Sequence, residues 1–254
     1  MHRRELLTVA GASVALWPSL ALKASSWGTF TEEQRGDPDL PRESISLDAE
    51  AIQNRVTGLA SYRNRLDSAT MAATVFAIAK PMIGWSRAET PERIADILDV
   101  FDLQFKDDKG RFVPFCAAGV AYAFAAAYLK SWGVASSTNA LRGALQEIDR
   151  YHFYPSPSVM DVYYVARGKR RWVDAVPGKV TPKPGWLVVY DWSGTQRGAD
   201  HVGLVTGLDA QGLHTIEFNT SQQNQKNGGQ VAARTRQYNK FVRGFVRTDI
   251  KTPI

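Results

Sequence analysis

The chain has one thiol, and every reading of its chemistry starts there. Cys116 is the single cysteine among 254 residues. It sits in Phe115-Cys116-Ala117-Ala118-Gly119-Val120, where a loop broken by Pro114 runs into an alanine-rich stretch that reads as a helix to about Trp132. A helix N-terminus carries partial positive charge, which favours thiolate over thiol. A thiolate at such a place is suited to attack on a carbonyl. That chemistry also needs a histidine to manage the proton and a third group to orient the histidine.

Four histidines are available. His2 belongs to the opening segment, and His152, among Tyr151, Phe153 and Tyr154, reads as structural. His214 follows Gly212-Leu213 at an expected hairpin turn. His201 differs, because it opens an apolar strand, His201-Val202-Gly203-Leu204-Val205, and is therefore rigidly mounted at a strand end. The next strand, Thr215-Ile216-Glu217-Phe218-Asn219, alternates, so Glu217 and Asn219 share one face. A hairpin through Asp209-Ala210-Gln211-Gly212 brings His201 beside Glu217 or Asn219. Either can accept the imidazole N–H and fix its tautomer. The plainer alternative is a surface histidine on a sheet whose polar face meets water.

The elements that must hold these groups are mostly legible. Met71, Val75, Ile78 and Ala79 fall on one face of a helix over 67–83. Thr90-Pro91 starts another, with Thr90 as a capping side chain and Pro91 at the first helical position. Gly133 marks the end of the cysteine helix, and a further helix runs from Thr138 to Tyr151. Then the character changes. Val159–Ala166, Trp186–Trp192, His201–Gly207, Gly212–Phe218 and Phe241–Arg247 are short β-branched or aromatic runs between turn residues, and read as antiparallel strands. Helices followed by strands predict an α+β domain with a sheet packed on the cysteine helix. Trp186, Tyr190 and Trp192 either line a pocket or pack in the core.

Residues 1–24 have the pattern of an export signal. Arg3-Arg4 precedes an apolar stretch, Thr8 to Leu16, and small residues follow at Ser19, Ala21 and Ala24. The apolar run is shorter than the ~20 residues a bilayer span needs. Arg3-Arg4-x-Leu6-Leu7 resembles a twin-arginine signal. The expectation is a periplasmic or secreted protein with no stable membrane span after signal removal, in which a lone cysteine has no internal disulfide partner. Residues 25–66 read as an extension or linker. The net charge of +6 becomes +4 without residues 1–24, with 28 basic and 24 acidic residues remaining. That suits anionic envelope polymers or plain solubility. Arg167-Gly168-Lys169-Arg170-Arg171 lacks the length and aromatic interleaving of a nucleic-acid motif and reads as a solvated turn, so no nucleic-acid partner is expected.

Four blocks in order carry a family resemblance: Phe115-Cys116-Ala117-Ala118-Gly119-Val120; Pro182-Lys183-Pro184-Gly185-Trp186-Leu187-Val188-Val189-Tyr190; His201-Val202-Gly203-Leu204-Val205; and Ile216-Glu217-Phe218-Asn219-Thr220-Ser221. Over residues 67–250 they resemble the CHAP family of cysteine amidohydrolases and peptidases, relatives of the NlpC/P60 enzymes. The Gly229 to Arg247 segment also fits. The resemblance implies a papain-like α+β fold and cleavage of peptidoglycan amide bonds. It implies Cys116 as nucleophile, His201 as base, Glu217 as third residue and Asn219 as a fourth polar member. The chain departs from the family pattern at Gly185-Trp186, where an aspartate commonly follows the glycine. Asp107-Asp108-Lys109-Gly110 has too few spaced carboxylates for calcium, one cysteine and scattered histidines do not give zinc spacing, and no cofactor is expected. Other readings are a non-catalytic wall-binding protein on a degenerate hydrolase fold, and an amidase for a small amide. Neither the oligomeric state nor the bond cleaved is specified by the sequence.

Overall fold

In the computed structural model, the described residues are 68–195, 197–221, 223 and 227–249. The expected signal segment and the 25–66 extension lie outside them. Five helices are described: α1 (Ser68–Ala79), α2 (Pro91–Asp99), α3 (Cys116–Ser131), α4 (Thr138–Tyr151) and α5 (Val159–Gly168). Six strands follow: β1 (Trp172–Asp174), β2 (Leu187–Tyr190), β3 (His201–Asp209), β4 (Gly212–Thr220), β5 (Gln230–Arg236) and β6 (Val242–Val246). They form one antiparallel sheet in the order β1-β6-β2-β3-β4-β5. The fold is thus a mixture of helices and an antiparallel sheet. No helix among the described residues is long and apolar enough to cross a membrane.

The centre of the packing is α3. Twelve of its sixteen residues are buried, so it is apolar nearly all round, as a helix enclosed by other elements must be. It packs against α1, α2, α4 and the pair β3–β4. One face of the sheet, carrying Val202, Leu204, Ile216 and Phe218, joins the α3 core. The other carries Val188, Tyr190, Val205 and Phe245 and forms a second, smaller cluster. The approach of α3 to β4 is set by Gly119. A Cβ there would lie 2.3 Å from Phe218 Cγ and Cδ1, so only a residue without a side chain lets the helix lie this close. At its far end α3 stops at Gly133, whose φ of 68° is the left-handed conformation expected of a terminating glycine.

Four local expectations are corrected. Val159–Ala166 is helix, not strand. Val159, Val162, Tyr163 and Ala166 are the buried positions, a helical spacing, and Ser158 caps them by accepting the Asp161 N–H at 3.3 Å. Thr90 does not cap α2 with its side chain; its hydroxyl oxygen instead accepts the Ser86 N–H at 2.9 Å. His214 lies within β4 rather than at the turn, between Asp209 and Thr235. The basic run after α5 is not wholly solvated either. Arg171 is 1% exposed and reaches back to the Tyr151 and Arg150 carbonyls at the end of α4. Strands β1 and β5 were not among the predicted elements. Both are sheet edges, and β5 reads Gln-Val-Ala-Ala-Arg-Thr-Arg, with too little β-branched or aromatic character to announce itself.

The Gly119–Phe218 contact is directly testable. Gly119→Ala places a methyl group inside the Phe218 ring position and should destabilise the fold by about 1–3 kcal/mol despite alanine's better helix propensity. Urea denaturation of Gly119→Ala, alone and with Phe218→Leu, checks this. The second substitution should recover part of the loss, and an unchanged midpoint in the single variant would remove Gly119 as the spacing element.

Candidate active site

Three of the four sequence-predicted residues form one connected group. Cys116 is the first residue of α3, preceded by Phe115 with φ −126° and ψ 21° and with no side-chain cap. The N–H groups of the first turn are therefore left without a capping side chain, as suits a position facing an anion. The Cys116 residue is 3% exposed and His201 is fully buried. His201 opens β3, and its backbone is fixed by pairing with Tyr190 of β2.

The orienting group is Glu217. Gly203 lies directly opposite Glu217 in the β3–β4 ladder, so His201, two residues along β3, is its diagonal neighbour on the same face. His201 Nε2 lies 3.1 Å from Glu217 Oε2. An ionised carboxylate can only accept, so Nε2 carries the proton. Gly203 is needed for this placement, since a Cβ there would come within 2.9 Å of Glu217 Cγ. The other ring nitrogen, Nδ1, is buried with no hydrogen-bond partner, sulfur included. Cys116 lies near enough to the imidazole to favour its charged form.

Glu217 is itself held from the far side. Arg236, near the end of β5, donates Nε to Oε1 at 2.9 Å and Nη2 to Oε2 at 2.6 Å, a two-pronged pairing. Thr215 adds its hydroxyl to Oε1 at 2.9 Å. Burial opposes ionisation of Glu217, but the hydrogen bonds and charges of Arg236 and His201 outweigh it and hold the carboxyl well below the usual carboxylate range. His201 responds in the opposite sense. Burial works against its charged form, yet Cys116 and Glu217 together push its pKa up to about 9. Arg236 was not anticipated from the sequence, because β5 was not. Its signal is the alternating Arg234-Thr235-Arg236 at the end of the segment after Gly229.

Asn219 lies on the same strand, fully buried, with φ at 58°. Its carbonyl accepts the Gly228 N–H at 3.1 Å where the β4–β5 register slips. The residue on His201 Nε2 is thus Glu217, while Asn219 lies at the register shift between Glu217 and Thr220. Trp186 and Tyr190 belong to the core cluster. Tyr190 also stacks on the His201 ring, 5.9 Å between centroids, and Trp192 lies on Tyr190 at 4.6 Å with the rings 9° apart. The Arg236 guanidinium lies 5.3 Å from the Trp192 centroid. The loop leading to His201 is tied by Asp191. Its carboxylate accepts N–H bonds from Ser193, Arg197 and Gly198 at 2.9, 3.0 and 3.0 Å. Burial raises its pKa, but the Ser193 hydroxyl and these N–H groups bring it down to about 2.

Two stability measurements follow from the charges. Between pH 6.5 and 9 the unfolded chain releases the imidazole proton while folded His201 keeps it. The His201 contribution is therefore complete below pH 6.5 and lost as pH rises through 9. Urea midpoints of the parent should fall across that window and those of His201→Asn should fall less; parallel curves would remove the raised His201 pKa from the account. Arg236→Met strands a fully buried carboxylate and should cost about 3–5 kcal/mol, with Arg236→Met/Glu217→Gln less affected than additivity requires. An additive double variant would show that the pair is not coupled.

Scans of protein-family models, of curated proteins and of solved structures return no match for this chain. Any function assigned to it rests on the residues and geometry described above.

Proposed function

We propose that the protein is a cysteine amidohydrolase or endopeptidase of papain-like architecture that cleaves amide bonds of peptidoglycan. The observation that carries this reading is the buried His201–Glu217 hydrogen bond, with the Cys116 thiol at the start of α3 acting on the same imidazole by its charge. A reactive thiol, a proton carrier and an orienter are the parts that thiol acyl transfer needs. The substrate class comes from the resemblance of the four sequence blocks. An exported location, periplasmic or secreted, comes from the opening segment, and the remaining positive charge suits an anionic wall polymer.

The mechanism runs in two halves. The Cys116 thiolate attacks the amide carbonyl carbon, with imidazolium His201 as its counter-ion. The C–S bond forms and the oxygen takes the displaced electron pair, facing the Cys116 N–H at the uncapped start of α3. Collapse of this intermediate breaks the C–N bond as His201 gives its proton to the leaving nitrogen. Neutral His201 then takes a proton from water, whose oxygen attacks the thioester. Collapse of the second intermediate breaks the C–S bond, the acid product leaves, and the thiolate–imidazolium pair is restored. Glu217 keeps the ring in place and stabilises its charged form, with Arg236 and Thr215 fixing the carboxylate.

The burial of Cys116, 3% exposed, supports a second reading, a non-catalytic wall-binding protein with an inaccessible thiol. Alkylation with iodoacetamide at pH 6 separates the two. The hydrolase reading expects rapid, stoichiometric labelling that slows in His201→Ala; an inert thiol favours the binding protein. With purified murein, Cys116→Ala should release no fragments. Glu217→Gln should lower kcat by roughly 10²–10⁴-fold with a smaller change in KM. Activity of the parent should decline above about pH 9 as His201 loses its proton. Full murein hydrolysis by Cys116→Ala would sink the proposal.

A further inference from the structure

A second charged feature packs against Phe115, the residue before the thiol, and takes no part in holding His201. Arg87 precedes α2 and is half-buried. Nη2 donates to the Val113 carbonyl at 2.6 Å and Nη1 to Asn227 Oδ1 at 2.9 Å. The guanidinium lies 4.9 Å from the Phe112 ring centroid and 5.2 Å from that of Phe115, the residue before Cys116. Its Nε is buried with no hydrogen-bond partner. No acidic group among the described residues acts on its charge. Burial alone lowers its pKa, to about 10, so the cation persists at neutral pH.

The surroundings form a groove of about 440 Å³ lined by Ser86, Arg87, Phe112, Asn227, Gly228 and Gly229 among others. One wall is the segment entering α3 at Cys116. The other is formed by residues 227–230, where the Gly228 N–H is bonded to the Asn219 carbonyl. Gly229, at φ 77°, leaves room for the guanidinium, since a Cβ there would lie 3.3 Å from Arg87 Nη1. The groove's carboxylate, Glu89, is exposed and makes no ion pair with Arg87.

A half-buried cation without an acidic partner, beside a groove and against the ring of the residue that precedes Cys116, is arranged to receive an anion. We propose that this groove binds a free carboxylate of a peptide substrate and that Arg87 selects substrates carrying one near the scissile amide. The Arg87 side chain offers its remaining Nη–H groups to the carboxylate oxygens, while Val113, Asn227 and the two phenylalanines hold the guanidinium in place. This deepens the proposed function and rests on Cys116 being the reacting centre.

Binding and cleavage are to be measured separately. Full-length Cys116→Ala protein is titrated calorimetrically with muropeptides bearing free carboxylates and with the same peptides as carboxamides. With Arg87 present, the free acids should bind about 10- to 100-fold more tightly, the range of one charge-assisted contact. Arg87→Gln should abolish the difference, and Arg87→Lys should keep part of it, serving also as the variant to read if Arg87→Gln fails to fold. Equal affinities with Arg87 present, a preference that survives Arg87→Gln, or no binding of either peptide would overturn the proposal. Hydrolysis by the Cys116 parent is scored independently. Selective binding without cleavage would overturn the hydrolase reading and leave the carboxylate groove standing.

Discussion

The buried Glu217 carboxylate is the constraint around which the site is built. Removing such a group from water is severe unless cations and hydrogen bonds meet it. Here Arg236 engages both oxygens, Thr215 engages one, and His201 Nε2 lies on the other. Three consecutive strands in the sheet, β3, β4 and β5, each contribute one member of the charged row. The row therefore closes only when the sheet has its native register. A shift of β4 by one residue would turn Glu217 into the α3 core and Phe218 out of it. The ion pairs and the apolar packing on the two faces thus demand the same register.

The thiol is brought to that row by a different kind of force. Helix α3 has almost no polar surface, and its place is fixed by packing against α1, α2, α4 and the β3–β4 pair. Gly119 stands one turn beyond Cys116, and the Phe218 ring occupies the space a side chain would need. Phe218 is the residue after Glu217. One strand therefore seats the helix with one face and orients the imidazole with the other. The thiol and the imidazole are thus mounted on rigid elements rather than loops, which is how a precise geometry is best kept.

Much of this was legible in the sequence because the signals were local. The alternation of Ile216-Glu217-Phe218 and the histidine at the start of an apolar strand identify groups that pack together. The alanine-rich run after Cys116 reads correctly as a buried helix. What was illegible depended on tertiary context. Val159–Ala166 is rich in valine and tyrosine, and its strand-like composition is overridden by burial at helical spacing and by the Ser158 cap. β5 is a strand because β4 offers it an edge, not because its own residues favour one. Missing β5 meant missing Arg236. Arg87 was illegible for a similar reason, since its neighbours Val113, Phe115 and Asn227 are distant in sequence.

The two arginines differ in what they leave unsatisfied. With Cys116 as thiolate and His201 as imidazolium, the row Cys116–His201–Glu217–Arg236 contains two negative and two positive charges and is neutral overall. A neutral, internally paired row exerts little net pull on a charged ligand beyond a few ångströms, because opposed fields cancel. Its charges act on each other. Arg87 has no such partner, so its field is available to a molecule arriving in the groove. In the proposed reading, chemistry and charge recognition fall to different residues, with Phe115 next to Cys116 in the chain and against Arg87 in space. An anion bound at Arg87 adds a negative charge close to the start of α3 without entering the His201–Glu217 pair. Binding of a charged substrate and orientation of the imidazole can then vary independently, which a single shared cation would not permit.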